Sequence, residues 1–144
     1  MKVFFIIILL SIITINQSHA KESFFNEAKI KFEEKKNEES KFLLQRHIVF
    51  NPKHAKSYLY LAKIYKIEKN TKKEIKNLKT TLLLEPDNEE ALYLLIDIEL
   101  KRSNFSEVKK LTKNLEVVCD YFCIEIKKIN KKLKNIENKN ESEQ

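Results

Sequence analysis

Two prolines, Pro52 and Pro86, punctuate a chain of 144 residues that has no glycine at all. They stand 34 residues apart, inside phrases that read alike: FNPKHAKSYLYLAKIY from Phe50 and LEPDNEEALYLLIDIE from Leu84. A return at a fixed period of roughly 20–50 residues marks a repeat array, in which each unit buries its apolar face only by stacking on a neighbour. Setting the prolines in register cuts the chain into three units, 21–54, 55–88 and 89–122.

Each unit reads as a pair of helices. In the middle unit Tyr58, Leu61, Ala62 and Tyr65 fall at i, i+3, i+4 and i+7, one face of a helix. The polar break EKNTKK follows, then Ile75, Leu78 and Leu82 mark the face of a second helix. Pro86 ends it, because proline lacks the backbone donor and restrains the residue before it. Asp87 or Asn88 is placed to cap the next helix, with Glu89 and Glu90 in its first turn. The third unit carries Leu92, Leu95 and Ile96, the break KRSNFSE, then Val108, Leu111, Leu115 and Val118. The first is weaker, with Phe25, Ala28 and Phe32, then Leu44 and Ile48, as expected of a terminal repeat.

These residues resemble the tetratricopeptide repeat (TPR) family. Its pattern is matched by Tyr58, Leu61, Ala62, Tyr65, Leu78, Leu84 and Pro86 in the middle unit. Leu92, Leu95, Phe105 and the NFSEV turn match in the third, and Phe24, Ala28, Leu44, Phe50 and Pro52 in the first. The resemblance implies an all-α fold, a right-handed solenoid of three helical hairpins. Departures are visible. Where the family has a small residue at the crossing of the two helices, this chain has Ser40, Glu74 and Val108. Glu74 is expected at the rim, paired with a lysine, or tilting its helices apart, since burial alone is costly. Ile96 replaces the small residue of a first helix, His47 and Thr81 replace a later alanine, and Asp120 stands where a closing proline would.

Beyond the repeats, Phe122, Ile126, Ile129, Leu133 and Ile136 follow 4-3-4-3 steps. The segment 123–137 is expected to be an amphipathic helix that covers the last repeat's apolar face, a partner-binding helix being the alternative. A polar tail, 138–144, is expected to be disordered. At the other end an apolar run from Val3 to Ile15 follows Lys2 and precedes NQSHA. It is shorter than the roughly 20 residues needed to span a bilayer. Residues 1–20 therefore read as a secretory signal cleaved between Ala20 and Lys21, where the first repeat begins.

Of the 28 cations only Arg46 and Arg102 are arginines. Nucleic-acid sites favour arginine's planar fork, so the net charge of +7 does not suggest nucleic acid as a partner. Lys, Asn and Ile have AT-rich codons, and a low-GC genome accounts for the bias. With no glycine, phosphate-cradling loops and nucleophile elbows are excluded. The mature histidines, His47 and His54, sit at a packing position and an inter-repeat loop. Neither an enzyme activity nor a cofactor or metal is expected. Cys119 and Cys123 are spaced C-x-x-x-C, unlike a thioredoxin pair or a zinc half-site. In an oxidising compartment a disulfide between them is expected to pin the last helix to the last repeat, two buried thiols being the alternative.

The TPR resemblance also implies a concave groove lined by the first helix of each pair. Carried over, its positions are Phe25, Lys29, Lys56, Leu59, Tyr60, Lys63, Lys66, Tyr93, Leu94, Asp97 and Lys101. Tyrosine and leucine supply apolar area and the lysines attract acidic groups. The expected protein is a monomeric, exported scaffold or adaptor, periplasmic in a Gram-negative bacterium or otherwise secreted, that binds a segment or helix of another envelope protein. The alternative is lysine-mediated contact with an anionic envelope surface.

Overall fold

The computed structural model describes residues 24–142, with side chains through residue 136. The signal segment, its cleavage point and the last two residues lie outside the described residues. The described chain is all α. After α1 (24–33) come α2 (Asn37–Phe50), α3 (Ala55–Ile67), α4 (Thr71–Leu84), α5 (Glu89–Lys101), α6 (Phe105–Val118) and α7 (Cys123–Ser142). The second helices α2, α4 and α6 start and stop 34 residues apart, as do α3 and α5. The expected hairpin boundaries at residues 55 and 89 coincide with the first residues of α3 and α5.

The turn inside each hairpin repeats atom for atom. Lys35, Lys69 and Ser103 have φ of 60°, 58° and 56°. This left-handed conformation ends a helix in the Schellman manner and ordinarily belongs to glycine. In the first hairpin the Lys36 N–H donates to Lys31 O at 2.9 Å and the Lys35 N–H to Phe32 O at 3.0 Å. Asn70 and Lys69 donate likewise to Tyr65 and Lys66, and Asn104 and Ser103 to Glu99 and Leu100. The chain thus makes three glycine-type turns without a glycine, each against a Cβ clash. Asn70 and Asn88 cap α4 and α5, their side chains accepting from Lys73 N at 3.2 Å and Ala91 N at 3.0 Å.

The core is split in two. Leu43, Leu44, Leu61, Ile64 and Tyr65 pack with Ala28 in a smaller cluster around the first repeat. Leu59, Ala62, Leu78, Leu92, Leu95, Ile96, Val108, Leu111 and Leu115 belong to a larger one. Helix α3 contributes to both, so it is buried on most of its circumference and keeps a strip near Lys56, Lys63 and Lys66 for solvent. Ile126, Ile129 and Leu133 of α7 close the larger cluster, as the 4-3-4-3 stripe predicts. One position stays apolar and exposed in every second helix: Val49, Leu83 and Val117 are 76%, 81% and 83% exposed.

Two ties hold the turn that leads into α7. Cys119 and Cys123 form the expected disulfide, with Cα atoms 5.3 Å apart. The Glu89 carboxylate accepts from the backbone N–H groups of Asp120, Tyr121 and Phe122, at 2.8, 2.9 and 2.6 Å. Burial alone would raise the Glu89 pKa, but the three amides outweigh it and hold the carboxyl below its usual range. Helix α7 also runs to Ser142, past the expected end at 137 and into the stretch expected to be disordered. Residues 137–142 contain neither proline nor glycine, and their lysine and glutamates favour a helix.

Replacing Lys35, Lys69 or Ser103 with glycine relieves the clash, and each change is expected to stabilise the fold by about 0.5–1 kcal/mol in urea unfolding. Ser103→Val should act in the opposite direction. Glu89→Gln removes the charge that the three amides share and puts a donor where Oε2 accepts from Tyr121 N. It is expected to cost about 1 kcal/mol, with faster amide exchange at residues 120–122 as its signature.

Candidate functional site

Six of the eleven groove positions meet in one open cleft of about 380 Å³. Phe25 and Lys29 come from α1, and Lys56, Leu59, Tyr60 and Lys63 from α3. The cap of α5 supplies Asn88, Glu89 and Glu90, which the TPR pattern does not mark as groove residues. Tyr60 forms the aromatic wall. Its ring lies edge-on to Phe25 at 5.7 Å and to Phe32 at 5.4 Å, and Lys63 Nζ sits 4.8 Å from its centroid. Burial, then Glu33 and Glu90, push the Tyr60 phenol up, so it stays a neutral donor.

The charges sort themselves. Lys63 pairs with Glu90 across the cleft at 2.6 Å, and Glu89 is committed to the amides before α7. Lys29 and Lys56 carry no ion pair among the described residues. The cleft therefore presents an aromatic wall flanked by two available ammonium groups.

The other five positions lie elsewhere. Tyr93 stacks on Phe122 with centroids 4.6 Å apart, and both Tyr93 and Leu94 pack against the larger core. Helix α7 lies over Tyr93 and leaves only a gap of about 90 Å³, which Asp97 also borders. Lys66, Asp97 and Lys101 line a separate cleft of about 420 Å³. Glu74 borders that cleft too. It is neither at the rim nor ion-paired among the described residues, being only 6% exposed.

Behind the Tyr60 wall is a polar chain that sequence reasoning missed. His47 is buried, as its packing position implies. Asn51 Nδ2 lies 3.1 Å from His47 Nε2, His47 Nδ1 lies 2.8 Å from Ser57 Oγ, and Ser57 Oγ lies 2.8 Å from His54 Nδ1. One proton assignment satisfies every link: Asn51 donates to His47, His47 to Ser57, and Ser57 to His54, with both imidazoles neutral. The Phe25 ring packs on both, at 5.6 Å from His47 and 4.5 Å from His54. Ser57 is fully buried, so the chain braces the cleft floor and offers no nucleophile to a substrate. Its signal was the repeat alignment, where His47, His54 and Ser57 replace Thr81, Asn88 and Ala91. Among the described residues no group of three potential ligands could hold a metal, and no helix is long and apolar enough to cross a membrane.

Two solved structures share this architecture. The Yersinia enterocolitica type III secretion translocator chaperone SycD superposes with a TM-score of 0.70 at 13% identity, over 86% of this chain and 88% of its own. A chain described as "CopN-Scc3 complex" superposes with a TM-score of 0.64 at 14% identity, over 83% of this chain and 69% of its own. The likeness is one of fold, an all-α stack of helical repeats. No protein-family model matches the chain, nor does any curated protein.

Burial lowers the pKa of His47, helped by His54. Burial lowers that of His54 as well, with Lys56 acting the same way and Glu85 against it. Below about pH 6.5 the unfolded chain binds protons that the folded chain refuses, so this contribution to stability is present above that pH and lost as pH falls. The urea midpoint should therefore drop between pH 7 and pH 5. The double variant His47→Thr, His54→Asn, which borrows the next repeat's residues, should show a flatter profile than the native chain.

Proposed function

We propose that the protein is a non-enzymatic scaffold or adaptor that holds an acidic, partly apolar segment of another protein in the cleft between α1 and α3. One observation carries the reading: Lys29 and Lys56, unpaired, flank the Tyr60 wall in a single open concavity. A peptide laid there gains apolar contact with Phe25 and Tyr60 and pairs its carboxylates with the two lysines. Its own fold-mates include a translocator chaperone, which accords with a protein partner. The apolar run before Lys21 supports export, and the partner is then another envelope protein.

The lysine surplus also suits an anionic lipid or wall polymer, and salt separates the two. Contact through exposed lysines alone collapses at about 0.5 M salt, where the screening length is only several Å. Capture through an aromatic wall keeps its apolar part.

A crosslinked pull-down from the native envelope tests the proposal. Lys29→Glu with Lys56→Glu touches no core residue and is expected to weaken recovery of the specific partner at least tenfold, about 1.4 kcal/mol. Unchanged recovery would sink the cleft as the docking site. A partner lost entirely in high salt would favour the anionic surface instead.

A further inference from the structure

The second cleft, of about 420 Å³, has a chemistry of its own. Its floor is Glu74, which occupies the crossing position held by Ser40 in the first repeat and Val108 in the third. Those two are complete where they stand. The Ser40 hydroxyl donates to Ala28 O at 2.8 Å, and Val108 is fully buried in the larger core. Glu74 is more than nine-tenths buried, yet its carboxyl has no hydrogen bond or ion pair among the described residues. Burial pushes its pKa up, and Lys66 and Lys101 pull it only partly back. Its oxygens are not sealed off but open on the cleft, where a donor can reach them.

The cations above it are unequally free. Lys101 is held by Asp97 at 2.6 Å and Arg102 by Glu99 at 3.0 Å. Lys66 and Lys69 have no ion pair among the described residues, and of the two it is Lys66 that acts on the Glu74 carboxyl. A cationic ligand meets Lys66, Lys69, Lys101 and Arg102 and is repelled. A simple anion brings no donor of its own to Glu74. An acidic peptide in extended form brings both a side-chain carboxylate and a backbone N–H.

We infer that this cleft is a second subsite for the same partner, taking one acidic side chain on Lys66 and one backbone amide on Glu74. The inference rests on the peptide-binding reading and adds a spacing to it. Lys56, at the first cleft, and Lys66, at the second, are ten residues apart on α3, about 15 Å along its axis. An extended chain rises about 3.3 Å per residue, so the partner's two acidic side chains are about five residues apart.

The test uses the full chain and fluorescein-labelled, end-blocked peptides of serine and valine with two glutamates separated by two to eight positions. Affinity is expected to peak at a separation of four to six. Lys66→Ala should flatten that peak but leave peptides with a single glutamate bound as before. Glu74→Val, which borrows the third repeat's residue, should raise the melting temperature and still weaken the best peptide about tenfold. Methylating the peptide amides one at a time should find one whose loss weakens the native chain but not the Glu74→Val chain. A flat spacing profile, or unchanged affinity in Glu74→Val, overturns the second subsite and leaves the first cleft standing. Failure of every peptide, the single-glutamate ones included, removes the peptide reading itself and the subsite with it.

Discussion

Every hairpin in this chain turns on one backbone hydrogen bond that reaches back five residues from a position just past a left-handed residue. Without that bond the first helix of each pair has no defined end, and the second cannot fold back along it. Glycine would adopt the turn freely, but Lys35, Lys69 and Ser103 are forced into it. The clash is tolerated because stacking buries Leu44, Leu78 and Leu115 fully on the next helix. Local strain and inter-repeat packing are thus coupled at the same 34-residue interval, and the clefts inherit their spacing from it.

Much of the fold could be read from two prolines and the apolar positions between them. A proline fixes where a helix must stop, and one period then places every other boundary. The stripe on α7 was equally plain, since five apolar residues on one face have little else to do than cover a core. The contents of the groove were less legible. Helix phase says which side of α5 bears Tyr93 and Leu94, but not that α7 would lie over Tyr93. That outcome depends on Glu89 gripping the turn at 120–122, a contact across more than 30 residues with no periodic signature. Glu74 shows the same limit. Its departure from the pattern was visible, whereas the cleft that receives its carboxyl is a product of packing between repeats.

Charge is what distinguishes the clefts. In the first, acidic side chains are consumed by Lys63 and by the amides before α7, leaving lysines over an aromatic wall. In the second, two of the four cations are consumed by Asp97 and Glu99, leaving Lys66 and Lys69 beside the Glu74 carboxyl. A formal charge of +7 says nothing of this division. What each cleft presents depends on which groups the fold has already paired.

The split core has a consequence for motion. Repeat arrays behave as chains of nearest neighbours, so each junction between repeats holds by its own contacts. Here the smaller cluster of the first repeat joins the rest through α3, while α7 and the disulfide close the other end. The Tyr60 cleft straddles the first junction, between α1 on one side and α3 on the other. Any ligand that bridges the two helices draws on the same equilibrium that opens them. Occupancy of the cleft and closure of the first hairpin then stabilise each other.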